Sequence, residues 1–152
     1  MKFEIYDNIG ISLVAFLSVL KDYKQIDYAK VLLILPLLLY NPLTNHIKDG
    51  RVNVRSIEDL ILSKIEYFLN FNERFTSLLP LSINTIFFAE KFGFIKIEND
   101  FIYIIKNQIE MFDFESKQLG NRSENIIKAS RKISRILKED SKSLYFKLRI
   151  EL

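Results

Sequence analysis

The chain contains an uninterrupted apolar run from Val31 to Tyr40, and this run restricts the possible folds more than any other feature. Nine of its ten residues have large aliphatic or aromatic side chains, and the tenth is Pro36. Burying nine such side chains contributes on the order of 15–25 kcal/mol before the entropy cost of folding. A helix that is apolar on all sides must be surrounded by other elements, so the run predicts the central helix of a hydrophobic core.

Two properties of this run refine the prediction. Pro36 lies well inside it and removes one backbone hydrogen bond, so we expect a kink or a break in the central helix. The run is also too short to cross a membrane, which takes about 20 apolar residues.

No signal peptide is predicted at the start of the chain, where Lys2, Glu4 and Asp7 precede any apolar segment. We therefore expect no membrane contact and a location in the cytoplasm.

The composition is that of a globular, helix-rich protein. The chain has 152 residues, of which 49% are hydrophobic and 27% charged, and it contains only four glycines and three prolines. It has no cysteine and one histidine, His46. Disulfides, thiolate catalysis and multi-histidine metal sites within this chain are thereby excluded. With no nucleophile motif and no glycine-rich phosphate loop, we expect no catalytic, cofactor or metal site.

The flanks of the central run predict further buried helices. Asn8 is expected to cap a helix over residues 9–20. Ser56 is expected to cap another helix, whose apolar residues keep the i, i+3, i+4 spacing of one buried face up to Leu69. Between them, Asn41-Pro42 is expected to end the central helix and to open an irregular segment.

The middle of the chain predicts two helices followed by a β-hairpin. A short helix is expected after Asn70, Pro80 starts a second helix, and Gly93 is well placed to end it. Alternation over residues 94–98 and a β-branched segment over residues 101–105 then indicate two strands. This order of elements is typical of a winged helix.

These patterns predict a mainly α-helical fold in a single domain, with about five to seven helices and a winged-helix-like β-hairpin in the middle. Residues 1–54 are expected to hold the N-terminal buried helices, residues 55–106 the winged-helix-like unit, and residues 107–152 the C-terminal basic helices.

The C-terminal third carries the strongest charge feature. Ser123 is expected to cap a helix over residues 124–138, and a last short helix is expected to start at Ser141. The longer of the two helices carries a stripe of basic side chains at i+3 and i+4 spacing. Its members, with Lys132 beside the others, are the candidate partner- or DNA-binding residues Lys128, Arg131, Lys132, Arg135 and Lys138. Such a stripe suits phosphate groups or an acidic protein surface, and it also occurs as an ordinary solvated face.

The predicted recognition helix of the winged-helix-like unit is poorly suited to reading DNA bases. Base contacts are made by Arg, Lys, Asn or Gln near the front of such a helix. Residues 81–92 offer only Asn84, Glu90 and Lys91 as strongly polar groups. A protein-interaction module is therefore favoured, and a stand-alone winged-helix nucleic-acid-binding protein is the alternative.

Four stretches of the chain form a recognisable series. They are Asn8-Ile9-Gly10, Leu32–Leu39 with its Leu35-Pro36-Leu37-Leu38-Leu39, Leu81–Ile95, and Ala129–Ile133 followed by Leu144–Ile150. The series resembles the small middle component of ABC-three-component systems, the group that includes Lamassu-type anti-phage defence. It covers nearly the whole chain in order.

The resemblance implies a non-catalytic adaptor subunit in anti-phage or anti-plasmid defence. Its partners would be an SMC-like or Rad50-like ABC ATPase and an effector, often a nuclease, and DNA would be reached through the complex. The adaptor would join or restrain these partners, and the effector would be released when foreign DNA is sensed.

Overall fold

A computed structural model describes residues 2–115 and 119–152, with side chains described from Ile9 onward. The fold is mainly helical with one small antiparallel sheet, as predicted. The elements are α1 (Lys2–Leu20), β1 (Gln25–Asp27), α2 (Tyr28–Val31), α3 (Ile34–Leu38), α4 (Asn41–Ile47), α5 (Ile57–Ser63), a 3-10 helix (Ile65–Tyr67), α6 (Phe71–Lys91), β2 (Ile95–Glu98), β3 (Phe101–Ile104), α7 (Lys106–Glu110), α8 (Gly120–Ile136) and α9 (Ser141–Lys147).

The predicted central run lies in the middle of the hydrophobic core. Six of its side chains are fully buried, namely Val31, Leu33, Ile34, Leu35, Leu37 and Leu38. α3 packs against α1, α4, α6 and α8. The run is therefore surrounded by other helices, as its all-round apolar character requires. Within the described residues, no helix has both the length and the apolar character needed to cross a membrane.

The expected break in the central run is confirmed, and it lies on the N-terminal side of Pro36. α2 and α3 are separated by Leu32 and Leu33. In a continuous helix the proline ring would collide with the carbonyl of Leu32 and leave that carbonyl without a donor. The chain turns there instead, and the Leu33 amide donates to the Lys30 carbonyl at 3.0 Å.

The prediction that Asn41-Pro42 opens an irregular segment is wrong, because these residues begin α4. The first turn of a helix has no internal acceptor for its N–H groups, so a proline there loses nothing. Leu43 and Ile47 are fully buried, and α4 packs against α8. The same dipeptide that ends a helix in many proteins starts one here.

Helix starts were predicted with mixed success. Ser56 caps α5 as expected, since its Oγ accepts a hydrogen bond from the Asp59 amide at 3.0 Å. Asn8 and Ser123, in contrast, lie inside α1 and α8, which begin at Lys2 and Gly120. The buried Ser123 side chain belongs to the packed face of α8, and such tertiary packing overrides a local capping preference.

The two helices predicted on either side of Pro80 are one continuous helix, α6. Pro80 is exposed, whereas Phe71 and Phe75 before it and Ile86 and Ala89 after it are buried in the same core. Burial on both sides outweighs the local cost of a proline, which is about 3 kcal/mol in a helix interior.

Gly93 ends α6 as predicted. Its φ of 81° lies in the left-handed region, which glycine adopts without a steric penalty. The Gly93 amide donates to the Glu90 carbonyl and the Phe94 amide to the Ala89 carbonyl, both at 3.0 Å. This pair of bonds is a Schellman motif, and it directs the chain into the hairpin.

The predicted hairpin is present, and a third strand completes the sheet. β2 and β3 pair with Ile97 opposite Ile102, and β1 pairs with β3 with Ile26 opposite Ile102, which gives the order β1-β3-β2. β1 was not predicted, because three residues with only Ile26 buried are too few to show alternation. The buried side chains of Ile26, Ile95 and Ile102 attach the sheet to the core.

Candidate functional site

Four of the five candidate residues are exposed at α8. Lys128, Arg131 and Arg135 lie on the helix and Lys138 follows its end, at intervals of three or four residues. Residues with this spacing share one side of a helix. The opposite side carries the buried Ile126, Ala129, Ile133 and Ile136. The amphipathic pattern of α8 therefore turns the basic stripe toward solvent.

Lys132 has a different environment from the other four. Its residue is only 9% exposed. The ammonium donates hydrogen bonds to the carbonyls of Ile47 at 2.8 Å and Asp49 at 2.6 Å. Burial lowers the pKa of this ammonium group. Lys132 thus ties the turn after α4 to α8.

Two further lysines join the stripe in the structure. Lys21 follows α1 and Lys48 follows α4, and both helices pack against α8. The side chains line an open groove of about 570 Å³, which we call the basic groove, formed mainly by Lys21, Lys48, Lys128, Arg131, Lys132 and Arg135. Nothing in the sequence marks Lys21 or Lys48, because only long-range helix contacts bring them to α8.

The basic groove has an excess of positive charge. Asp22 is the acidic residue among its described lining residues. Lys128 is paired with Glu124 at 3.2 Å, whereas Arg131 and Arg135 form no ion pair within residues 9–115 and 119–152. A guanidinium group binds carboxylate or phosphate oxygens through two parallel hydrogen bonds. The chemistry that this groove offers is therefore anion binding.

The pKa shifts of the titratable groups beside the basic groove have structural causes. Asp49 accepts two hydrogen bonds from the Arg51 side chain, at 2.9 and 3.2 Å, and these hold its pKa at about 2. His46, expected in a polar loop, lies on α4 instead, where burial and the cations Lys64 and Lys132 lower its pKa. Among the described residues, no group of three His, Cys, Asp or Glu side chains is placed to hold a metal ion.

The second half of α6, which the sequence predicted as a recognition helix, exposes apolar side chains. On the second half of α6, Ile83 and Phe87 are exposed, and Phe92 follows the helix with 53% of its surface exposed. The ring of Phe88 stacks on that of Phe92, and Phe92 contacts Phe94 edge-to-face. We call Ile83, Phe87 and Phe92 the aromatic face. Exposed aromatic clusters are typical of protein contact surfaces.

Comparison with known proteins assigns the chain to a family. The family model described as ABC-three component (ABC-3C) system Middle Component 3 matches residues 9–152. No curated protein and no solved structure matches the chain significantly. The family match includes every stretch that carries the resemblance seen in the sequence except Asn8, and these stretches are Ile9-Gly10, Leu32–Leu39, Leu81–Ile95, Ala129–Ile133 and Leu144–Ile150. The chain belongs to the Middle Component 3 family of ABC-three component systems.

Proposed function

We propose that the chain is a non-catalytic adaptor that links an SMC-like or Rad50-like ABC ATPase to an effector in a bacterial anti-phage or anti-plasmid defence complex of the Lamassu type. Family membership is the observation that carries this proposal, because a middle component acts together with two other components. The effector is expected to be a nuclease.

The surfaces of the chain support an adaptor role. The basic groove and the aromatic face differ in chemistry and are carried by different helices, α8 and α6. A charged groove selects an anionic partner and steers its approach, whereas an aromatic face contributes affinity through burial. Two surfaces of unlike chemistry suit two different partners.

Charge reversal in the basic groove tests whether it contacts a partner. We expect Lys128→Glu, Arg131→Glu and Arg135→Glu together to weaken binding to the ATPase component about tenfold or more, since three attractive charges become repulsive. Lys132 is left unchanged because of its buried hydrogen bonds. The matched control reverses three exposed cations elsewhere, Lys24, Arg55 and Lys106.

Binding to the ATPase is measured by calorimetry and binding to duplex DNA by fluorescence anisotropy across a salt series. A contact with DNA phosphates makes the logarithm of affinity fall linearly with the logarithm of salt concentration. If the groove variant and the control variant bind the ATPase equally well, and also bind duplex DNA equally well, the basic groove has no part in the proposed contacts.

A stand-alone winged-helix nucleic-acid-binding protein is the second candidate. The sheet order β1-β3-β2, with α6 leading into the hairpin, favours it. The exposed aromatic face of α6 argues against this candidate, because base recognition uses polar side chains. Tight, sequence-selective binding of duplex DNA by the chain alone would support this candidate over the adaptor.

A further inference from the structure

A second apolar surface lies between α5 and α9. Its four large side chains are exposed to between 51% and 84%, and they are Leu62, Ile65, Leu69 and Phe146. The prediction that one buried face continues up to Leu69 is wrong, because Ile65 and Leu69 are exposed. α5 ends at Ser63, and Lys64 leaves helical geometry with φ −141° and ψ 57°. This turns Ile65 and Leu69 out of the core, where they line a depression together with Lys147 and Arg149.

The surface has the shape of two adjoining depressions, which together we call the α5–α9 groove. One depression, of about 350 Å³, is lined by Leu62 and Phe146, with Glu58 at its edge. The other, of about 270 Å³, is lined by Ile65, Phe68 and Leu69. Ile61, Lys147 and Arg149 line both depressions. Two apolar pockets therefore adjoin, with cations at their boundary.

The two cations at this boundary differ in their ion pairing. Lys147 lies 3.5 Å from a carboxylate oxygen of Glu139 and 4.0 Å from one of Glu58. Arg149 is exposed and makes no ion pair with any residue in the described parts of the chain. Arg149 is thus the cation that remains available to a partner's carboxylate.

The backbone of Arg149 is strained. Its φ of 58° lies in the left-handed region at the end of α9, a position that favours glycine. The neighbouring backbone imposes this conformation: the Arg149 amide donates to the Phe146 carbonyl, and the Ile150 amide to the Tyr145 carbonyl, both at 3.1 Å. The Glu151 amide adds a bond to Asn72 Oδ1 at 2.9 Å. The two bonds from the Arg149 and Ile150 amides at the end of α9 form a Schellman motif, so the left-handed conformation of Arg149 has a structural cause.

We propose that the α5–α9 groove binds an amphipathic helix of another component of the system, in which two large apolar residues fill the two depressions and an Asp or Glu between them pairs with Arg149. Grooves of this kind bind helices through apolar anchors one or two turns apart. The charge of Arg149 selects the acidic residue. The proposal rests on the adaptor function only in naming another component as the source of the helix.

The test uses overlapping 20-residue peptides that cover the sequences of the ABC ATPase and effector components, with binding to the full chain measured by fluorescence polarisation. We expect the binding peptides to contain an acidic residue between two large apolar residues. Arg149→Gly is expected to weaken their binding about tenfold while leaving the melting temperature equal or higher, because glycine relieves the strain. Phe146→Ser is expected to abolish binding, and Arg55→Gly, at an exposed arginine elsewhere, to leave it unchanged.

Three results would overturn the proposal. The first is that no peptide binds, and the second is that binding peptides lack the acidic residue or bind Arg149→Gly equally well. The third is self-association of the chain in sedimentation that Phe146→Ser abolishes, because the groove would then bind a second copy. Loss of peptide binding while the three components still co-purify would contradict this proposal alone. Peptide binding without co-purification would contradict the adaptor function alone.

Discussion

Lys132 connects two parts of the basic groove. Its ammonium donates to the Ile47 and Asp49 carbonyls, which lie on either side of Lys48. These bonds hold the turn that carries Lys48 against α8. The helical spacing of the sequence grouped Lys132 with the solvent-facing cations, because spacing alone does not show which carbonyls a neighbouring turn presents.

Replacing Lys132 with methionine is expected to destabilise the fold. Methionine keeps the apolar stem, but both carbonyls lose their charged donor in a buried position. We expect the free energy of unfolding to fall by about 1–3 kcal/mol, as measured by urea denaturation followed by circular dichroism. Lys138→Met, at an exposed position of the same stripe, should change it by less than about 0.5 kcal/mol. Equal losses in both variants would show that the two bonds contribute nothing.

At the scale of elements, α6 shows how packing maintains a helix against its local sequence. Pro80 has no N–H to donate to the carbonyl of Thr76, four residues earlier. The helix nevertheless continues, since α6 packs against both α1 and α3. The proline therefore remains a local defect in a helix that the core stabilises on both sides.

Pro80→Ala is expected to stabilise the protein, because it restores the missing hydrogen bond and removes the steric conflict at an exposed site. The gain should be about 1–3 kcal/mol, with a rise of about 2–4 °C in melting temperature for each kcal/mol. Calorimetry measures the change. Pro42→Ala is the control, since a proline in the first turn of α4 costs nothing and should give no comparable gain. A lower melting temperature for Pro80→Ala would mean that the core requires the defect.

Local patterns predicted those elements whose signals are local. The Ser56 cap, Gly93, the hairpin and α9 each depend on residues within a few positions of one another, and all four are present. The continuity of α6, the start of α4 and the strand β1 depend on contacts between distant segments. Gln25–Asp27, for example, becomes a strand because β3 offers it an unpaired edge. No periodicity within three residues contains that information.

At the scale of the whole molecule, one continuous core carries three chemically distinct surfaces. α8 presents the basic groove, α6 the aromatic face, and α5 with α9 the apolar groove beside Arg149. The basic stripe was predicted because it follows the spacing of one helix. The α5–α9 groove was not, because it exists only where the chain leaves helical geometry at Lys64.

The proposed adaptor role requires this chain to link the ATPase to the effector. The most direct measurement is affinity purification of a tagged effector after co-expression with the ATPase, with and without this chain. If the chain is an adaptor, the ATPase co-purifies with the effector only when the chain is present, in fixed proportion to it. Equal recovery of the ATPase when the chain is not expressed would contradict the adaptor role. So would a complex of the ATPase and the effector that leaves out the chain when all three are expressed.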